Sequence, residues 1–138
     1  MTDTHDATWN AYYDRKRNER LQEADAVWRR LAAAGVSEDT VLVIDFTHFG
    51  ADRTHAEALA QQLSEHYATS LEPGPDGYWL VKGTTRPYGV SLTEDQHRDW
   101  VDFMCDAARP HGCVFSTWTV DVHPHGPRVS SEGVTETG

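Results

Sequence analysis

Histidine and aspartate side chains near the first apolar stretch of the chain are the residues whose types and spacing suggest metal chemistry. Asp45, His48 and His55 span the end of a predicted strand and the start of a predicted helix. A divalent metal needs three or four such ligands at fixed geometry. No His-Glu-x-x-His pattern occurs, and Asp45 is predicted on the strand face away from the core, so we predict no metal site. His123 and His125 fall in a predicted tail and are expected to bind metal only adventitiously.

Nucleophilic chemistry would need an activated cysteine or serine, and neither is placed for it. Cys105 is predicted in the middle of a helix near its apolar face, where a thiol is usually unreactive. Ser116 is predicted in an extended strand and not at a sharp strand-to-helix turn. Cys105 and Cys113 are expected to be free thiols, although the sequence leaves a disulfide between them open. No Cys-x-x-Cys pattern occurs, which argues against a zinc-ribbon or thioredoxin-type site. We therefore predict no catalytic residues, no cofactor and no enzymatic activity.

Size and charge restrict the class of protein. The chain has 138 residues, which suits one domain, and a formal net charge of −10 at neutral pH. This charge opposes binding to nucleic acid, whose phosphates attract cations, and favours solubility or a basic partner. No apolar run approaches the ~18 residues of a membrane span, and the first residues lack the basic and apolar regions of a signal peptide. We therefore expect a cytoplasmic protein.

The most apolar stretch of the chain, residues 40–46, is predicted to be the central strand of a sheet. Its length is that of a strand, and its valine and isoleucine side chains suit a pleated surface. Because side chains alternate between the two faces of a strand, Leu42, Ile44 and Phe46 should face the core. The intervening residues then lie on the opposite face.

Hydrophobic periodicity and capping signals predict the remaining elements. The apolar positions of each helix repeat at three- and four-residue steps. Asp52 is predicted to cap the second helix, and Thr93 with Gln96 forms a capping box at the start of the third. The predicted elements, in order, are a helix at 14–34, the strand at 40–46, a helix at 53–67, strands at 68–72 and 78–83, a helix at 94–109 and a strand at 113–122.

The order of these elements predicts an α+β fold. After the leading helix it reads strand, helix, strand, strand, helix, strand, which is the βαββαβ pattern of a ferredoxin-like antiparallel sheet with two helices on one face. We predict this fold with an extra N-terminal helix, as a single domain over residues 14–124. Residues 1–13 are predicted to be a mobile N-terminus, although they are rich in aromatic side chains. Residues 125–138 are predicted to be a disordered tail.

The face of the sheet without the two internal helices is predicted to be the binding surface. Tyr78 and Trp79 alternate on one strand, so one of them should lie outside the core, where an aromatic side chain is a common interface anchor. The leading helix could instead cover this face, and the sequence leaves that alternative open. The predicted partner-binding residues are Val43, Asp45, Tyr78, Trp79, Phe115, Thr117 and Asp121.

A series of short motifs follows a fixed order between residues 17 and 124. In order they are the helix end from Leu31 to Gly35, the strand pair Ile44-Asp45, the loop residue His48 and the strand motif Phe115-Ser116-Thr117-Trp118. In this order and spacing, the chain resembles the family of the regulator of ribonuclease activity B. The resemblance covers most of the chain.

The resemblance implies a small cytoplasmic bacterial protein that inhibits the endonuclease ribonuclease E, without catalytic residues and without a cofactor. The chain departs from the family in its last strand. Where the family has an acidic residue and two glycines, this chain has Ser116, Thr117 and Thr119. It also ends without the long acidic tail of some members.

The residues and the resemblance together predict a non-catalytic regulator that binds a protein partner, with a ribonuclease E-type enzyme as the implied target. The alternative is a small-ligand or metal-binding domain that uses the open sheet face. A deep apolar pocket lined by the sheet would favour the ligand, and a flat acidic face would favour the protein partner. A third hypothesis, an enzyme, requires that Asp45 and His48 meet in a cleft.

Overall fold

The computed structural model describes residues 3–123 and 126–134, with side chains from residue 7 onward. Over this range the protein has three α-helices and a five-stranded antiparallel sheet, so the predicted α+β class is confirmed. The elements are α1 Asp3–Ala33, β1 Leu42–Gly50, α2 Arg53–Leu63, β2 Ala68–Pro73, β3 Trp79–Thr84, α3 Glu94–Ala108, β4 Cys113–Val122 and β5 Arg128–Ser130.

Strand β1 lies at the centre of the sheet, as its apolar sequence predicts. The strand order is β2-β3-β1-β4-β5, and every neighbouring pair is antiparallel. On β1, Asp45 stands opposite Thr84 of β3 and opposite Thr119 of β4. The sheet differs from the predicted ferredoxin-like sheet because β5 adds a strand beyond β4.

The core lies between the helices and one face of the sheet. Leu42, Ile44 and Phe46 are buried as predicted, and β1 runs on to Gly50, so that His48 continues the same buried face. Helices α2 and α3 bury most of their predicted apolar positions. Full burial of a large apolar side chain contributes about 1.5–3 kcal/mol. The central strand therefore provides a substantial share of the stability of the fold.

Both predicted helix caps are present. The Asp52 side chain accepts a hydrogen bond from the backbone N–H of His55 at 3.1 Å. Thr93 accepts from the backbone N–H of Gln96 at 3.1 Å, and the Gln96 side chain accepts from the backbone N–H of Thr93 at 3.0 Å. These bonds satisfy amides that the first turn of a helix leaves unpaired. Helices α2 and α3 consequently begin where the sequence predicts.

Helix α1 begins at Asp3, whereas the sequence predicts its start at residue 14. Arg109, which directly follows α3, holds this part of the helix. Its guanidinium donates to the side-chain oxygens of Asn10 at 2.8 Å and Asp14 at 3.2 Å, and it lies 5.3 Å from the ring centroid of Tyr13. Such tertiary contacts supply most of the stability of a helix in a protein, and local periodicity does not report them.

A β-bulge in β4 changes which of its side chains face the core. Thr47 is paired with Thr117, but the next β1 residue, His48, is paired with Phe115, so Ser116 is an extra residue. As a result Phe115 and Trp118 both point inward, with ring centroids 5.3 Å apart in a stacked arrangement. Phe115, which the sequence predicts on the open sheet face, is therefore buried in the core.

Residues 128–130, which lie within the predicted tail, form strand β5. Val129 and Val134 are buried against the core. Ser131 is fully buried: its hydroxyl accepts from the backbone N–H of Trp118 at 3.0 Å, and its own N–H donates to the Trp118 carbonyl at 2.9 Å. Residue 125 and residues 135–138 of the predicted tail lie outside the described range.

Candidate functional site

The face of the sheet opposite the core, which we term the open face, is not covered by α1 in its middle part, from Val43 to Thr47. That helix packs beside α3, where Asp25 lies 3.3 Å from Arg98 and the Trp28 ring centroid lies 5.5 Å from that of His97. The first part of α1 borders one end of the face, because it lines a groove together with Phe49 and Val114, which the register places on the same face as Thr47. The register of the strands places on this face the side chains of Val43, Asp45, Thr47, Ser70, Lys82, Thr84, Thr117, Thr119, Asp121, Arg128 and Ser130.

Two predicted site residues, Asp45 and Asp121, belong to one charge network on the open face. Arg86 donates to Asp121 at 2.7 Å and has its Nε 3.4 Å from Asp45. Arg128 donates to Asp121 at 2.9 Å. The hydroxyl of Thr84 donates to Asp45 at 2.5 Å. Two carboxylates and two guanidinium groups thus compensate each other, and this part of the face is not acidic.

Arg86 and Arg128 are functional candidates that the sequence interpretation missed. Arg86 lies in the loop after β3, and Arg128 lies in the segment predicted to be a tail. Their side chains are 51% and 58% exposed although both are ion-paired. Each exposed pair contributes little to stability, but the network holds two planar donor groups in fixed positions that face solvent. No short sequence pattern indicates these two arginines, because the pairing of Arg128 with Asp121 is seen only once strand β5 is known.

A shallow hollow of about 550 Å³ lies on the open face beside this network. Its lining is rich in hydroxyl groups, since Thr47, Ser70, Thr84, Thr117 and Thr119 all contribute. Lys82 lines it as well and lies 3.1 Å from Glu72 on the neighbouring strand. Hydroxyls both donate and accept hydrogen bonds. The hollow therefore offers several hydroxyl groups to a hydrogen-bonding partner.

Three predicted site residues are not available at the open face. Val43 lies on it but is only 6% exposed, and Phe115 is buried in the core because of the bulge. Trp79 lies on the helix side of the sheet, with the guanidinium of Arg53 5.0 Å from its ring centroid. These positions are corrections to the predicted set. Thr117 keeps its predicted place.

Tyr78 is the exposed member of the Tyr78/Trp79 pair, at 42%, but it belongs to a different site. A groove of about 840 Å³, which we term the N-terminal groove, lies between the first part of α1 and the end of β1. Tyr78 and Phe49 form one wall, with ring centroids 5.5 Å apart. Tyr12 and Tyr13 form the other, with ring centroids 5.6 Å apart. The aromatic spacing near the start of the chain was the signal for this groove.

The two buried histidines are held as neutral rings. His48 is fully buried with its Nε2 3.3 Å from the carbonyl oxygen of Met104, and burial lowers its pKa to about 4 although that hydrogen bond opposes the shift. His97 accepts from the indole N–H of Trp118 at 3.3 Å, and burial likewise lowers its pKa to about 4. Desolvation disfavours a charged imidazolium. These histidines therefore serve packing in the native state.

The thiols and the proposed metal ligands are also not arranged for reaction. Burial raises the pKa of Cys105 to about 12 and that of Cys113 to about 11, so both stay protonated at neutral pH. Asp45 and His48 lie on opposite faces of β1 and do not meet in a cleft. Within the described part of the chain, no three His, Cys, Asp or Glu side chains are grouped so that they could hold a metal ion.

Comparison with known proteins leaves the chain without an assigned family. No protein-family model and no curated protein matches it. The resemblance to the regulator of ribonuclease activity B accordingly stays a prediction. In the described residues, no helix combines the length and the apolar character needed to cross a membrane.

Proposed function

We propose that this protein is a non-catalytic cytoplasmic regulator that binds a protein partner through the open face. The observation that carries the proposal is the middle of the open face, which no helix of the described part of the chain covers and which presents fixed polar groups from neighbouring strands. By the resemblance, the partner is a ribonuclease E-type endoribonuclease. We also propose that β1 to β4 form a ferredoxin-like core. The order β2-β3-β1-β4 within the sheet supports this, with β5 as an addition.

The contacts of the open face suit a protein partner. Arg86 and Arg128 present guanidinium groups already oriented by Asp45 and Asp121, so little conformational entropy is lost when a partner accepts their remaining N–H groups. Arginine is enriched at protein interfaces. The net charge of −10 would steer the chain toward a basic partner. The open face then provides the specific contacts after encounter.

A small ligand or a metal on the same face is the weaker candidate. A ligand pocket is usually deep and mostly apolar with a few polar groups. The open-face hollow is instead shallow and lined largely by hydroxyl and charged side chains. This composition favours a polar macromolecular surface over a buried small molecule.

The direct test measures cleavage of a structured RNA by a ribonuclease E-type endonuclease, with and without this protein, beside a binding titration. Thr117→Arg places a large cationic side chain in the middle of the open face. We expect binding to a basic partner to weaken by at least about tenfold, or about 1.4 kcal/mol, because like charges across an interface cost that much or more. Gln61→Arg is the matched control, since Gln61 is exposed on α2 on the other side of the sheet.

The outcomes separate the partner from the surface. If inhibition is saturable, weaker with the Thr117→Arg variant and unchanged with the Gln61→Arg variant, the result would support both the ribonuclease target and the open face as the binding surface. Binding that both variants retain would remove the open face from the interaction. Absence of association at tens of micromolar would remove the ribonuclease target, and other proteins would then be tested against the same pair of variants.

A further inference from the structure

We propose that the N-terminal groove binds a small planar aromatic carboxylate. The groove lies at one end of the open face and shares none of its described lining residues with the open-face hollow. Its volume of about 840 Å³ falls in the range of ligand sites. Its lining is mostly apolar and aromatic. Its aromatic walls and the one charged side chain among its described lining residues determine which ligand it suits.

The aromatic walls favour a flat ring. Tyr12 and Tyr13 meet nearly edge to face, with an interplanar angle of 75°, and Phe49 and Tyr78 do so at 84°. In each wall the two rings are therefore turned at a steep angle to one another. A planar aromatic ligand can stack on one and contact the other, and each such pair adds about 0.5–1.5 kcal/mol beyond burial of its area. An aliphatic chain would gain only the burial.

Arg15 supplies the charge that selects an anion. It is the only charged residue among the described residues that line the groove. Its guanidinium lies 5.6 Å from the ring centroid of Tyr12, and it forms no ion pair with any residue in the described range. The next residue, Lys16, lies at a similar distance from the same ring but is paired with Glu19 at 3.4 Å. Arg15 is thus an exposed cation beside an aromatic wall.

The chemistry of Arg15 matches a carboxylate. A guanidinium offers parallel N–H donors that a carboxylate accepts in a bidentate arrangement. In a chain of net charge −10, an apolar groove whose charged lining residue is an unpaired arginine is complementary to a single negative charge. The ring would lie between the tyrosine walls and the carboxylate would lie at Arg15.

The test compares 2-naphthoate with 2-naphthamide, which have the same ring system but differ in charge, in an NMR titration of the full-length protein. We expect saturable shifts at groove residues and tighter binding of the carboxylate. Arg15→Gln should weaken 2-naphthoate binding by about three- to tenfold and leave 2-naphthamide unchanged. Arg30→Gln, an exposed arginine near the other end of the same helix, is the matched control. Tyr78→Ala should weaken both ligands.

Several results would overturn the proposal. Equal affinity for the acid and the amide would remove the role of Arg15, as would equal effects of Arg15→Gln and Arg30→Gln. Chemical-shift changes confined to the open-face hollow would place the ligand there and not in the N-terminal groove. Groove shifts that grow with protein concentration in the absence of ligand would show that a second copy of the chain occupies the groove. None of these results depends on whether the ribonuclease is inhibited.

Discussion

Single side chains in this protein have roles that only their surroundings determine. His48 and His97 are the clearest examples, because the imidazole side chain is a frequent metal ligand and acid–base group in proteins. In the folded protein both rings are enclosed, and burial lowers the pKa of each to about 4. The same enclosure that removes them from catalysis makes the fold sensitive to acid.

We expect the free energy of unfolding to fall as the pH drops from about 6.5 toward 4. An unfolded histidine has a pKa near 6.5 and therefore binds a proton in this range, whereas the buried ring does not. Each such histidine can contribute a slope of up to about 1.4 kcal/mol per pH unit. His97→Gln, which keeps an acceptor for Trp118, should reduce the slope in denaturant unfolding measured at pH 7, 6 and 5.

The control for this prediction is His66→Gln, because His66 is exposed after α2. It should retain the pH dependence of the unchanged protein. If His97→Gln and His66→Gln have the same slope, burial of His97 does not contribute to acid sensitivity.

At the scale of elements, the segment after β4 stabilises the sheet through one hydroxyl. Ser131→Ala removes the acceptor for the buried N–H of Trp118. An unsatisfied buried donor costs about 1–3 kcal/mol, and we expect this loss in the free energy of unfolding. Ser130→Ala is the neighbouring control, because the Ser130 hydroxyl accepts only from the exposed N–H of Glu132. Equal effects of the two substitutions would contradict the role assigned to Ser131.

Local signals predicted most elements because the residues that start or orient each of those elements lie within it or next to it in the sequence. Asp52 and Thr93 mark helix starts through hydrogen bonds to residues three positions away, and the alternation of Leu42, Ile44 and Phe46 identifies the core face of β1. Such short-range patterns are visible in the sequence.

The missed features depend on residues far apart in the chain. The early part of α1 is contacted by Arg109, and the last segment is hydrogen-bonded to Trp118 through Ser131. The candidate site was predicted in part for the same reason. Asp45, Thr117 and Asp121 follow from strand alternation, but Phe115 is displaced by a bulge that alternation does not show.

For the whole molecule, net charge should govern how fast the proposed partner is found. Raising the ionic strength from about 0.01 M to 0.15 M shortens the Debye length from about 30 Å to about 8 Å. We expect the association rate constant with a basic ribonuclease partner to fall by about tenfold or more, since a charge of −10 attracts over that range. The dissociation rate should change much less. Stopped-flow mixing at several salt concentrations measures both, and a salt-independent association rate would contradict steering.

The bulge in β4 gives this strand one position at which chain length can vary. A deletion within a strand usually turns every later side chain to the opposite face. Loss of Ser116 would instead leave Phe115 and Trp118 two positions apart, and both would still face inward. Loss of Thr119 would turn Val120 outward. Evolution can therefore remove a residue at the bulge while the core is preserved, but it cannot do so two or three positions further along the strand.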